Sequence, residues 1–399
     1  MNHDTREVLT NDGAWCWFQD PRAVRHVGEH DRTYVGWISK AGDVQVASVD
    51  HATGETERAT LHAGYEMDDH DAPSLYVDQQ DRLVVFYTEH GGPDIRYRRS
   101  EEPESVTAFG DERVIAPSTG HTYPNPIRLA DRDRLYLFYR NEPRDLAFVT
   151  SEDDGRTWSE ERELVVTDTW RGWGWVYFKI STDGDGRVDL AMSHCTAATV
   201  SIHRDVRHAW FDGERVHAAG GETLAGGDDL PLRLKDAPVI YDSHENWYDA
   251  WVWDCETFGD EPAIVYADFK DVDDHRYRYA RWTGREWTDT EITPAGSHIT
   301  DGNRERYYSG GISLDANEPG VCYASVGDHD GSRLQRWETT DGGASWRYTD
   351  LADGFVQNVR PVVPRNRHPG LPVLWMQGSY THFADQAYDT RIVAPEADP

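Results

Sequence analysis

PSLYVDQQDRLVVFY runs from Pro73 to Tyr87, and PIRLADRDRLYLFY runs from Pro126 to Tyr139. Both stretches follow one plan: a short apolar strand, an acidic turn, then a second strand of Leu, Val, Phe and Tyr. Their starts lie 53 residues apart (126 minus 73) and their ends 52 (139 minus 87). That period is close to the length of one four-stranded propeller blade. Further copies begin near Val176, Ala237, Tyr307 and Val359, and Gly13–Leu61 forms one more, giving about seven units. The expected fold is all-β: a single seven-bladed β-propeller domain over residues 1–399. The strand around Arg6–Thr10 is expected to complete the last blade, closing the ring so that no sheet edge stays exposed.

The surrounding sequence supports this. Helical periodicity is almost absent. Short alternating segments such as Thr33–Ile38, Leu83–Thr88, Leu135–Arg140, Val188–Ser193, Ala250–Trp253 and Val373–Met376 read as strands. Acidic turns recur at one place in the pattern, at Asp78–Arg82, Asp131–Arg134 and Asp183–Gly186. Ser151-Glu152-Asp153-Asp154-Gly155-Arg156-Thr157-Trp158 and its variant Thr339–Trp346 resemble the Asp box of sialidase-like propellers. In such a turn Asp bonds the backbone, Gly permits positive φ and Trp packs beneath. The Gly- and Asp-rich stretch Leu224–Asp236 is expected to be a surface loop.

Composition narrows the function classes. The net charge is -32, from 72 acidic against 40 basic residues. Lys is nearly absent, with Lys40, Lys179, Lys235 and Lys270 as the ones found, so Arg carries most positive charge. Acidic groups spread along the whole chain read as a halophile's hydrating surface. Nucleic acid is excluded as a partner, because it needs a basic face. An anionic polysaccharide is repelled at long range, but strong salt confines that repulsion to ~3 Å, and a local Arg cluster can bind it. The four cysteines, Cys16, Cys195, Cys255 and Cys322, show no paired spacing and predict no disulfide framework. No apolar run is long enough for a membrane helix. The N-terminus lacks a basic-then-apolar signal pattern, so the chain is expected to be cytoplasmic or a processed secreted form, and monomeric.

The chemistry-bearing residues sit at equivalent corners of neighbouring repeats. His70 precedes an inner strand in Asp68-Asp69-His70-Asp71-Ala72-Pro73, and His90 follows the next strand of the same repeat. In the next repeat Tyr123 precedes an inner strand in Thr122-Tyr123-Pro124-Asn125-Pro126, and Arg140 ends the strand after it. Taken singly, such a His is a surface or hydrogen-bonded structural residue and such a Tyr is packing. Their paired placement at one rim makes them a candidate site.

Several segments together resemble the BNR-repeat polysaccharide lyases, and among them the ulvan lyases with a seven-bladed propeller. They are GAWCWFQDPRAV (Gly13–Val24), DDHDAP, TYPNP followed by LFYR, YYSGGI (Tyr307–Ile312), and His194 with RHAWFDG (Arg207–Gly213). The resemblance spans nearly the whole chain. It implies that His70 and His90 are the catalytic imidazoles, Tyr123 the catalytic phenol and Arg140 the group that neutralises the substrate carboxylate. The family commonly has Asn after the first His, where this chain has Asp71. The implied reaction is β-elimination on a uronic-acid polysaccharide of the ulvan type, with rhamnose–glucuronate linkages. Removing the C5 proton expels the C4-linked sugar, and Arg140 stabilises the charge that builds on the carboxylate side. A His as base and Tyr123 as acid is the favoured division of roles.

Other residues are weighed beside these. His194, Cys195 and His208 lie on successive strands of one repeat, with His203 close by, and suit a structural zinc, which the resembled lyases bind with His and Cys in a comparable region. The alternative is a Cys and two His packed within the sheet. Asp-rich turns leave calcium open, without an EF-hand-type loop, and no organic cofactor is expected. Aromatic residues cluster at Trp170–Tyr177 and Trp247–Trp253, where core packing competes with stacking on sugars. Trp173, Tyr177 and Lys179 are the expected substrate contacts, with Asn125. Two rival functions remain: a sialidase-like glycoside hydrolase, which makes no double bond, and a non-catalytic carbohydrate-binding propeller, which binds without turnover.

Overall fold

Short strands with alternating apolar residues bury one or both faces against neighbours, and acidic turns return the chain at each end. The computed structural model describes residues 6–118, 120–142, 145–167, 174–196, 202–300, 305–384 and 388–395. They form successive antiparallel meanders arranged as an all-β propeller. Ala23–Val27 leads into Asp31–Ile38, Val44–Asp50 and Thr56–His62; Ser74–Val77 into Leu83–Tyr87, Ile95–Arg99 and Arg113–Ile115. Thr122–Leu129 is followed by Arg134–Arg140, Leu146–Ser151 and Arg162–Val166, and Gly174–Thr182 by Val188–Thr196 and Ile202–Phe211. The first and last strands lie side by side: Arg6–Thr10 pairs antiparallel with Tyr388–Pro395.

The seven separate units expected from the repeat are not seven separate sheets. Hydrogen bonds among the described residues group the strands into six sheets, one of them eight-stranded. In that sheet Trp287–Gly296 meets Val321–Gly327 through a single parallel bridge, Gly296 to Gly327. A Cβ on Gly296 would collide with the Gly327 carbonyl, so glycine at this contact lets two backbones approach and merge. Leu224–Asp236 is also not a plain surface loop. Leu232–Arg233 adds a parallel strand to Arg162–Val166, with Leu232 and Leu234 buried, because these leucines supply an apolar face that the Gly- and Asp-rich composition hides.

The turns at Asp153 and Asp341 are closed by their own carboxylates. Asp153 accepts the Arg156 and Thr157 backbone N–H groups at 3.0 and 2.8 Å, and Asp341 accepts that of Ser345 at 2.9 Å. Trp158 packs edge-on against Phe86, and Trp346 against Tyr279.

What positions the site is the segment from Ala14 to Asp20, which threads between the inner strands. Trp15 Nε1 donates to the Arg360 carbonyl at 2.9 Å. Trp17 stacks on Trp253 with centroids 4.1 Å apart and meets Trp251 edge-on at 5.0 Å. Phe18 packs against Tyr123 and Tyr177 at 5.1 and 4.8 Å. This segment touches four inner strands and forms an aromatic floor.

Candidate active site

Asp68 organises the site. The run Asp69–Asp71 makes one 3₁₀ turn, and the Asp68 carboxylate caps it by accepting the His70 backbone N–H at 2.9 Å. The same carboxylate holds both imidazoles. One oxygen accepts from His70 Nδ1 at 2.6 Å and the other from His90 Nδ1 at 3.1 Å. An ionised carboxylate only accepts, so each Nδ1 carries hydrogen and each Nε2 is left for chemistry. The two rings stack, with centroids 3.9 Å apart and 6° between planes. Burial opposes ionisation of Asp68, but the two imidazoles outweigh it and hold the carboxyl well below its usual range.

Two stacked imidazolium ions would repel, so the pair divides its charge. His70 has the shorter bond to Asp68 and a second carboxylate, Asp69, at 3.2 Å. Burial works against its charged form, yet the Tyr123 oxygen and then the Asp68 carboxylate, which also accepts its Nδ1 hydrogen, hold it well above its usual pKa. Burial, followed by the neighbouring His70 charge, lowers His90 to about 4. At neutral pH His90 is therefore a neutral imidazole with a free Nε2 lone pair. It is also the more open of the two, with 30% of its side chain exposed.

Tyr123 and Arg140 meet this pair. The register of Thr122–Leu129 shifts between Thr122 and Asn125, and Tyr123 takes φ 61°. Such an irregularity re-aims a side chain, and here the phenol ring lies 5.5 Å from His70. Burial raises its pKa well above 10, so the phenol keeps its proton. Arg140 is opposite Thr122 in the register, and its guanidinium stands 4.6 Å from the Tyr123 ring and 5.3 Å from the Tyr177 ring. It is buried, and its Nε has no hydrogen-bond partner among the described residues. Arg360 is the contrast: it pairs with Asp69, donates to the Trp15 carbonyl at 2.7 Å and to the Tyr380 hydroxyl at 2.5 Å. Among the described residues Arg360 has a carboxylate partner and Arg140 has none; the Nε of each lacks a hydrogen-bond partner, and an Arg140 Nη reaches the Thr122 hydroxyl at 3.4 Å.

The four residues picked out for catalysis, His70, His90, Tyr123 and Arg140, thus stand together, and Tyr177 joins them. Two of the expected substrate contacts do not. Lys179 is buried and donates to the Trp17 carbonyl at 2.5 Å and to Asp20. It neutralises a carboxylate next to the floor segment, a role invisible until that segment is placed. Asn125 is buried too, donating to the Phe18 and Tyr123 carbonyls at 3.1 and 2.9 Å and accepting from Asp20 N–H at 3.0 Å. Both residues hold the floor segment in place. Trp173, with the rest of 168–173, lies outside the described residues.

The trio His194, Cys195 and His208 does not converge as a metal site. His194 and Cys195 are successive residues of one strand, so their side chains point to opposite faces. His208 pairs with Ala191 in the register, and its Nε2 bonds Asp189 at 2.8 Å. Among the described residues, ligand-type atoms do gather at Asp68, His70 and His90, and at Cys16, Asp69 and His70. Those carboxylates are already committed to the imidazoles, Arg360 and the Tyr380 hydroxyl, which bonds Asp69 at 2.7 Å. The exposed group Asp328, His329 and Asp330 carries no buried donor.

Sequence reasoning missed Asp68 as the bridge, Arg360 and Tyr380 as its neighbour's anchors, and Phe383, whose ring stands 4.9 Å from His70. Only Asp68 had a signal, its place two residues before His70. Arg360 is 291 residues from Asp69 in the chain, and no local pattern links them.

The model of the BNR repeat-containing family matches residues 32–295. The chain belongs to the BNR repeat-containing family. It is 25% identical over 189 residues to an ulvan lyase of Alteromonas sp. (strain LOR), covering 39% of this chain and 38% of that protein. It is 24% identical over 225 residues to the ulvan lyase-PL25 of Pseudoalteromonas sp. (strain PLSV), covering 48% and 42%. The match thus spans about two fifths of the length of these two curated relatives. The solved structure of a PL25 ulvan lyase bound to -[GlcA(1-4)Rha3S]- superposes with a TM-score of 0.75 at 17% identity, covering 98% of this chain and 96% of that one. This likeness fixes the fold of the family member described here.

Proposed function

We propose that this chain is a polysaccharide lyase that cleaves an ulvan-like rhamnose–glucuronate polymer by β-elimination. The observation that carries the reading is Arg140. A buried guanidinium without a carboxylate is costly to maintain. A uronate carboxylate would complete it, beside a protonated phenol and a neutral imidazole. The ulvan lyases among its relatives support the substrate class.

The roles follow from the protonation states. Arg140 and the cationic His70 pair with the carboxylate and lower the cost of charge building at C5. Neutral His90 accepts the C5 proton on Nε2. The electron pair left at C5 forms the C4–C5 double bond as the C4–O bond breaks. Tyr123 donates its phenolic proton to the departing oxygen. No organic cofactor enters this scheme. The acidic surface suits a protein working in strong salt, where screening admits a polyanion.

The test is to incubate the protein with ulvan and follow absorbance at about 235 nm, the signature of an unsaturated uronate. Wild type is expected to produce it and Tyr123→Phe, correctly folded by circular dichroism, to lose at least ~100-fold in rate. New reducing ends without that absorbance, or an unimpaired Tyr123→Phe, would overturn the assignment.

A further inference from the structure

The segment Ser243–Asp249 has features that folding alone does not explain. Trp247 is 88% exposed, more than any other large apolar side chain described. It sits at φ 65° and ψ 12° after the short helix Ser243–Asn246. Bulky L-residues avoid this left-handed conformation. The position therefore favours neither tryptophan's backbone preference nor its burial, and an outlier of this kind points to use.

Its surroundings give the use a chemistry. Arg204, Ser243, His244, Trp247, Tyr248 and Asp249 line an open cavity of about 240 Å³. Arg204 Nε is a buried donor without a hydrogen-bond partner among the described residues. Lys270 places its ammonium 4.2 Å from the Tyr248 ring centroid while pairing with Asp268 at 2.7 Å. Burial pushes the Asp249 carboxyl up to about 6, against the pull of the Arg204 charge. Aromatic faces beside an unsatisfied guanidinium match a pyranose that carries an anionic group.

The place matches as well. Asp249 opens the inner strand Asp249–Glu256, and two residues further on the Trp251 ring lies 5.1 Å from Tyr177. Tyr177 in turn lies 6.3 Å from Tyr123. From Trp247 to Trp251 the chain spans at most roughly 13 Å, a distance that a few sugar rings bridge.

We infer that Trp247, Tyr248 and Arg204 form a distal subsite that grips an anionic sugar of the same polysaccharide chain cleaved at His90 and Tyr123. The inference rests on the lyase reading for the identity of its ligand. It adds that the protein holds several residues of a polymer at once.

Two measurements test it. In the first, kcat/KM is compared on ulvan polymer and on an ulvan tetrasaccharide. Trp247→Ala is expected to lower the polymer-to-tetrasaccharide ratio about tenfold, chiefly through the polymer KM. An unchanged ratio would overturn the subsite. The second is affinity electrophoresis through ulvan-containing gel in a Tyr123→Phe background, where turnover is abolished if the proposed chemistry holds and absent if it does not. Retardation that weakens with Trp247→Ala and with Arg204→Gln supports the subsite. Retardation indifferent to both, or none at all, refutes it. Absorbance near 235 nm from the wild type judges the lyase reading separately.

Discussion

Replacing Asp68 by Asn tests the arrangement of the two imidazoles most directly. The carboxylate accepts from His70 Nδ1 at 2.6 Å and from His90 Nδ1 at 3.1 Å. Asn offers one accepting oxygen and one NH₂ donor. If its oxygen keeps His70, its NH₂ faces His90, which must present a bare Nδ1 and move its hydrogen to Nε2. The lone pair assigned to take the C5 proton is then gone. If the oxygen keeps His90 instead, His70 loses the anion that sustains its charge. A wrong imidazole tautomer beside an Asp-to-Asn change costs about 10⁴ in kcat in the serine protease triad. A loss of 10³–10⁴ here corresponds to about 4–5.5 kcal/mol of barrier at ~1.36 kcal/mol per decade. The fold is expected to survive, because the Asn oxygen can still accept the His70 backbone N–H that now bonds Asp68 at 2.9 Å. The assay is the rate of absorbance increase near 235 nm on ulvan, with circular dichroism as the control for folding. An Asp68→Asn protein that is folded and keeps more than a tenth of wild-type kcat would refute the bridging role.

Two further outcomes are expected. If His90 is the base, the acid limb of kcat/KM falls near pH 4, not near the usual imidazole value of ~6.5, because burial lowers His90 to about 4. The sign for stability agrees: between those values the unfolded chain binds a proton that folded His90 refuses, so its contribution is intact above ~6.5 and fades as pH falls toward 4. A denaturant midpoint measured against pH for wild type and His90→Gln checks this, and identical acid slopes would count against it. Lys179→Met is expected to cost about 1–3 kcal/mol of stability, because the Trp17 carbonyl loses its donor and Asp20 keeps, among the described residues, only Arg22, at 3.2 Å. It should lower the thermal midpoint while leaving KM of the folded protein near wild type; a raised KM at unchanged midpoint would return Lys179 to the substrate site.

The repeat near residues 73 and 126 and the corner positions of His70, His90, Tyr123 and Arg140 were legible before any coordinates. The reason is that a β-meander sets its side chains by local alternation and its corners by turn chemistry, both written within some fifty residues. Equivalent corners of adjacent sheets then face each other by architecture alone. The partners of Lys179 and Asn125 come from the floor segment, and nothing near them in sequence announces that segment's path.

Local pattern thus determined the all-β propeller, the family and the four residues that converge. Tertiary structure alone decided which of them carries charge, which arginine has no carboxylate partner among the described residues, and that Gly296 and Gly327 merge two runs of strands into one sheet. Alternation and turn residues act between near neighbours and leave a trace in the sequence. Protonation and ion pairing depend on burial and on groups hundreds of residues away, as with Arg360 and Asp69, and exist only once the ring has closed.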